Sequence, residues 1–173
     1  PTVRYGTSGP RSGERGFYNV GNEPAFLTPC LYIWAGRYDK TAEQVRRIVD
    51  RSFRTGRSGL PGNDDSGAMS AWCAFHLLGL YPNAGQDYYL FTSPQFDEAE
   101  LALPGGRSFR IVVRNGGADR IYIRSTRLNG RKLDRAWIRH GEITAGGVLE
   151  LTMGDRPSGF GTNNPPPSAS DHP

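Results

Sequence analysis

Two adjacent carboxylates, Asp64 and Asp65, sit in the stretch GLPGNDDSGAMSAWCAFHLLG over residues 59–79. Leu60 to Gly67 is turn-forming. Ala68 to Leu78 is almost wholly apolar and the right length for a buried helix, with Gly79 in the place of a C-terminal cap glycine. The carboxylates therefore stand at a helix start, where unpaired backbone N–H groups and the helix dipole favour negative charge. An aspartate so placed is held ionised and in a fixed direction, which is what a general base or a metal ligand needs. It is also what a plain N-cap needs, and the loop alone leaves both roles open.

A second acid has a similar setting. Gly21-Asn22-Glu23-Pro24 precedes an apolar run to Ala35 and then Gly36. Pro24 suits the first helical position with Asn22 or Glu23 as cap, and Pro29 either kinks the helix or marks its real beginning. Between the two runs, Thr41-x-x-Gln44 predicts a capping box. Val45, Ile48, Val49 and Phe53 keep helical spacing while Arg46, Arg47, Asp50 and Arg51 face away, so this middle helix is amphipathic. The order buried, surface, buried is the rhythm of an α/α barrel. Successive inner helices then point the same way, and the loops at Asn22-Glu23 and Asn63-Asp64-Asp65 meet at one end although forty-two positions separate Glu23 from Asp65.

After Tyr81-Pro82 the period changes. Residues 88–92, 99–103, 108–114, 121–125 and 148–152 are short and rich in β-branched or aromatic types, punctuated by Gly-Gly and Asn-Gly pairs. They predict an antiparallel sheet with one buried face. Residues 155–173 are polar and Pro-rich and read as a disordered tail. The fold class expected is α+β: 1–82 helical, 83–154 β, then the tail.

The chain of 173 residues fits one domain or two small ones. Its net charge of +4 comes mostly from arginines spread among carboxylates, with no dense basic block interleaved with aromatics, so no nucleic-acid partner is expected. No apolar run reaches membrane-spanning length. The start, Pro1-Thr2-Val3-Arg4-Tyr5, is neither an initiator methionine nor a secretion signal and reads as the middle of something longer. Cys30 and Cys73 read as buried free thiols, with a bridge between packed helices as the other reading. Trp34 and Trp72 lie in apolar helices and read as core rather than sugar platforms. His76 reads as a satisfied core histidine and His140 as a structural hydrogen-bonding group.

Taken in order, GNEP, PCLYIWAG, GLPGNDDSGAMSAWCAFHLLGLYP, SPQFDEAEL, LNG and WIRHGEI resemble glycoside hydrolase family 92 over about residues 17–154. That family comprises calcium-dependent exo-α-mannosidases with a β-sandwich domain and an (α/α)6 barrel. The resemblance implies that residues 1–82 are the last helices of the barrel, followed by an antiparallel β-sheet or sandwich region. It implies a secreted enzyme that removes terminal α-linked mannose from oligosaccharides or N-glycans with inversion. Asp65 then corresponds to the general base with Asp64 as its catalytic neighbour. Glu23, with Asn22, corresponds to the calcium-side carboxylate, and Asn22, Asn63 and Trp34 to substrate contacts. Asn63 stands where some members carry another Asp, and Ala25-Phe26-Leu27 where many carry histidines. Members are much longer than this chain, and the segment carrying their general acid lies upstream of GNEP. The resemblance therefore implies a partner: the N-terminal β-sandwich and the remaining barrel, as a separate or missing chain. Two other readings stand beside it, a non-catalytic carbohydrate-binding or scaffold protein, and a glucoside-cleaving α/α-barrel enzyme.

Overall fold

The computed structural model describes residues 18–168 and residue 171. The loop expected over residues 1–20, with Tyr5 and Phe17 among its anchors, lies outside the described residues as far as residue 17; Tyr18 and Val20 are buried.

Proline decides the first element. Pro24 and Pro29 each remove an N–H donor, and proline is tolerated only in a first helical turn. The run expected to be one buried helix is instead two 3-10 helices, Glu23–Ala25 and Thr28–Ile33, each with its proline near the start. The turn continues with Gly36 N donating to Ile33 O at 3.0 Å.

Helix α1 spans Tyr38–Ser52. The capping box expected at Thr41 is not formed. The helix starts four residues earlier because Tyr38 and Ala42 bury against the sheet side, and Thr41 Oγ1 is left buried without a partner among the described residues. The Tyr38 hydroxyl donates to Thr92 O at 2.6 Å. Val45, Ile48 and Val49 face a second cluster with Tyr18, Val20 and Trp72, so α1 joins two cores.

Helix α2, Ala68–Leu78, ends on Gly79 at φ 82°, the left-handed cap the sequence predicted. It is not buried all round: Met69, Trp72 and His76 are buried while Ala71 and Ala74 are exposed. His76 is enclosed between Trp72 and Tyr81 rings, 4.1 and 4.5 Å away, yet among the described residues neither ring nitrogen has a partner, so it is not the satisfied core histidine expected. Both cysteines are free; Cys30 is buried and Cys73 half-buried.

The β region forms two sheets. Strands β1 (Leu80–Pro82), β2 (Tyr88–Phe91) and β7 (Trp137–Arg139) make one of three strands in the order β1-β2-β7. The other runs β3 (Glu98–Leu103), β4 (Arg107–Arg114), β8 (Gly147–Gly154), β5 (Tyr122–Leu128), β6 (Arg131–Lys132). The pair β4–β8 is parallel, so the larger sheet is mixed rather than antiparallel as expected. A short helix α3, His140–Thr144, leads from β7 toward β8, and His140 Nδ1 bonds the Tyr89 hydroxyl at 3.1 Å. The stretch read as a disordered tail packs on the fold over 155–168. Phe160 is buried against Tyr38 and Phe91, and Pro167 O accepts hydrogen bonds from Tyr88 Oη and Trp34 Nε1. Aromatic burial and backbone bonding outweigh its polar, proline-rich composition.

Candidate active site

Two glycines bring the acid-bearing loops together. A Cβ on Gly62 would stand 3.2 Å from Gly21 Cα and 3.1 Å from Met69 Cε, and one on Gly21 would stand 3.3 Å from Pro61 O. The backbones before Glu23 and before Asp64 are thus in van der Waals contact, an approach that side chains would obstruct. A second tie lies just behind: Trp72 Nε1 of α2 donates to Phe26 O at 3.1 Å, immediately after the 3-10 turn that carries Glu23. Trp72 is 1% exposed and stacks on Phe53 at 5.5 Å. It is core, as read, and also a positioning residue; nothing in its apolar context announced the bond to Phe26.

The two aspartates have different surroundings. Asp64 accepts from Ser70 N at 2.8 Å and from Ser70 Oγ at 2.5 Å, capping α2 from six residues upstream. The Ser70 hydroxyl and backbone N–H hold its carboxyl below the usual carboxylate range. Asp65 is exposed, and among the described residues its side chain accepts no hydrogen bond and joins no ion pair. What turns the chain between them and the helix is Ser66 at φ 52°, ψ 27°, followed by Gly67 at φ 77°. A serine in the left-handed region stores backbone strain of the kind found at functional loops.

Glu23 is half-buried in the first turn of its 3-10 helix, and its carboxylate likewise has no described partner. Asn22 takes the N-cap position with extended backbone but no side-chain cap bond. Asn22 and Asn63 are exposed on the two touching loops. Trp34 is not drawn into this group: its indole donates to Pro167 O at 3.4 Å and packs on the sheet-side core. The site thus offers two unpaired carboxylates and two amides on adjoining loops. These are hard oxygen donors, the kind calcium takes, but a calcium ion needs about six to eight of them. Among the described residues no three His, Cys, Asp or Glu side chains converge. The loops fit part of a calcium shell and not the whole of it.

The sequence profile of the glycosyl hydrolase family 92 catalytic domain matches residues 4–155. The chain belongs to glycosyl hydrolase family 92. It is 40% identical over 156 residues to a protein of Arthroderma benhamiae described as an uncharacterized secreted glycosidase, covering 86% of this chain and 20% of that protein. A family 92 α-mannosidase of Bacteroides thetaiotaomicron, solved with mannoimidazole, superposes with TM-score 0.84 at 30% identity, covering 91% of this chain and 21% of that one. A family 92 inverting mannosidase of the same organism gives TM-score 0.79 at 35% identity, covering 87% and 21%. The chain spans about a fifth of the length of these relatives.

Proposed function

We propose that this chain supplies the general base and part of the substrate site of a secreted glycoside hydrolase that removes terminal α-linked mannose from mannose-containing oligosaccharides or N-glycans with inversion. The observation that carries the reading is the division of labour in the loop. Asp64 is engaged by Ser70, and Asp65 is left free beside the Glu23 loop. The family and the two mannosidase neighbours support the substrate class.

In this mechanism Asp65 accepts a proton from a water as that water attacks the anomeric carbon from the face opposite the leaving group. A general acid protonates the departing glycosidic oxygen. Inverting enzymes hold the two carboxyl groups roughly 6.5–9.5 Å apart to admit the water. The acid comes from a segment outside this chain, as do the β-sandwich and the rest of an (α/α)6 barrel that residues 18–82 help to close. Asp64, the catalytic neighbour that the family resemblance implies, is held by Ser70 and fixes the loop beside the base. Asn22 and Asn63 contact sugar hydroxyls; Trp34, bonded to Pro167 O and packed on the sheet-side core, stays outside this group. Glu23 and Asn22 would hold part of a calcium shell completed elsewhere in the enzyme, and a calcium ion there would supply positive charge to polarise bound sugar hydroxyls.

The test is turnover of aryl α-mannosides and aryl glucosides by this chain combined with the remaining polypeptide. Asp65→Asn lowers kcat by about 10²–10⁴-fold, the range for loss of a general base. Asp64→Asn lowers the melting temperature and reduces kcat less. Wild-type kcat in Asp65→Asn overturns Asp65 as the base, saccharide binding with no turnover by the combined polypeptides supports a non-catalytic saccharide-binding protein instead, and preference for the glucoside overturns the substrate class.

A further inference from the structure

A pocket of about 230 Å³ lies at the seam between α1 and the larger sheet, lined by Arg46, Gln95, Phe96, Asp97, Gly116 and Arg120 among others. None of these belongs to the loops of the candidate active site. Arg46 is half-buried. Its Nε and Nη2 reach Ser93 Oγ at 3.4 and 3.2 Å, and Nη2 donates to Pro94 O at 2.8 Å, but it has no carboxylate partner among the described residues. Gln95 is fixed by its backbone N–H on Leu77 O at 2.9 Å, and its side-chain Nε2 is buried with no partner among the described residues. Asp97 is anchored by its carbonyl, which accepts from Val113 N at 2.8 Å, while its exposed carboxylate joins no ion pair among the described residues. Gly116 passes beneath it, for a Cβ there would stand 3.3 Å from Asp97 Oδ1. Arg120 closes the rim, bonded to Asn115 Oδ1. Phe96 is 49% exposed beside them.

The charge pattern restricts which ligand. An anion meets Asp97, and a cation meets Arg46 and Arg120. A neutral ligand bearing adjacent hydroxyls satisfies all of them, because each hydroxyl both donates and accepts. Planar carboxylate, amide and guanidinium groups read such paired oxygens in bidentate fashion. An exposed aromatic ring covers the apolar C–H face that a pyranose presents. We infer that this pocket is a saccharide-binding site for one neutral pyranose unit, separate from the loops that carry Glu23 and Asp65. The inference stands on the pocket alone and does not depend on the hydrolase reading.

The test is a ¹H–¹⁵N NMR titration of the full chain with methyl α-D-mannopyranoside and methyl α-D-glucopyranoside, using sodium acetate as the anion control. Saturable shifts are expected at the Gln95 side-chain amide, Arg46 Nε–H and the Gly116 and Gly117 amides. The dissociation constant should be on the order of 1 mM, in keeping with a single small contact patch. Phe96→Ala and Asp97→Asn change exposed side chains and leave the fold intact by circular dichroism; each weakens binding about tenfold. Asp65→Asn leaves it unchanged, so failure of the hydrolase proposal and failure of this one are told apart. The inference is overturned by the absence of saturable shifts, by shifts with acetate in place of the glycosides, by shifts confined to the Asn22 and Asn63 loops, or by wild-type binding in both rim variants.

Discussion

At the scale of single residues, the central fact is that neighbouring aspartates are bonded differently. Asp64 takes the helix terminus, through Ser70, and thereby frees Asp65. Both were legible as acids at a helix start. Which one caps was not, because that depends on the twist at Ser66 and Gly67, and a serine gives no signal for a positive φ. His76 offers a separate test. Burial pushes its pKa down to about 3 from 6.5, so the folded state holds it neutral while the unfolded chain binds a proton as pH falls below 6.5. The unfolded state then carries more protons, and stability is lost as pH drops from 6.5 toward 3. His76→Phe keeps the ring between Trp72 and Tyr81 and removes this titration. Its melting temperature should fall less steeply across that window than the wild type's; parallel slopes would show that His76 already finds a buried partner.

At the scale of elements, α2 is bounded by two left-handed glycines with unequal surroundings. A Cβ on Gly67 meets nothing within 4 Å, whereas one on Gly79 meets Pro94 Cβ at 2.8 Å. Alanine at Gly67 costs only the backbone term, about 1–2 kcal/mol. Gly79→Ala adds overpacking to it and should cost about 2–4 kcal/mol by chemical denaturation. Equal losses would mean that the link after β2 yields freely. The cap glycine itself was legible, since it follows an apolar run of helical length. Other elements were not. The prolines foretold an interruption after Glu23 without specifying 3-10 geometry. Alternating burial in β4 and β8 reads the same in parallel and antiparallel pairs, so the sequence pattern left their parallel register undetermined. Residues 155–168 misled because Phe160 and the Pro167 carbonyl find their partners far away in sequence.

At the scale of the whole molecule, α1 ties the loop-bearing half to the sheets, burying Tyr38 and Ala42 in one core and Val45, Ile48 and Val49 in the other. The same half leaves apolar groups uncovered: Ala71 and Ala74 on α2, and Leu31 at 51% exposure. A helix apolar on every side is at home in a fully packed interior, and this chain spans about a fifth of its family relatives. The uncovered helix and the unpaired carboxylates lie in this same half of the chain, and the proposed function places the other wall of the site in the rest of the enzyme. The most direct measurement is azide rescue of Asp65→Ala in the complete enzyme, followed by NMR of the product. Azide attacks without needing a proton removed, so a missing base is bypassed. The account predicts that azide restores turnover of an aryl α-mannoside and yields β-mannosyl azide. Unimpaired turnover in Asp65→Ala, or a loss that azide leaves untouched, would contradict it.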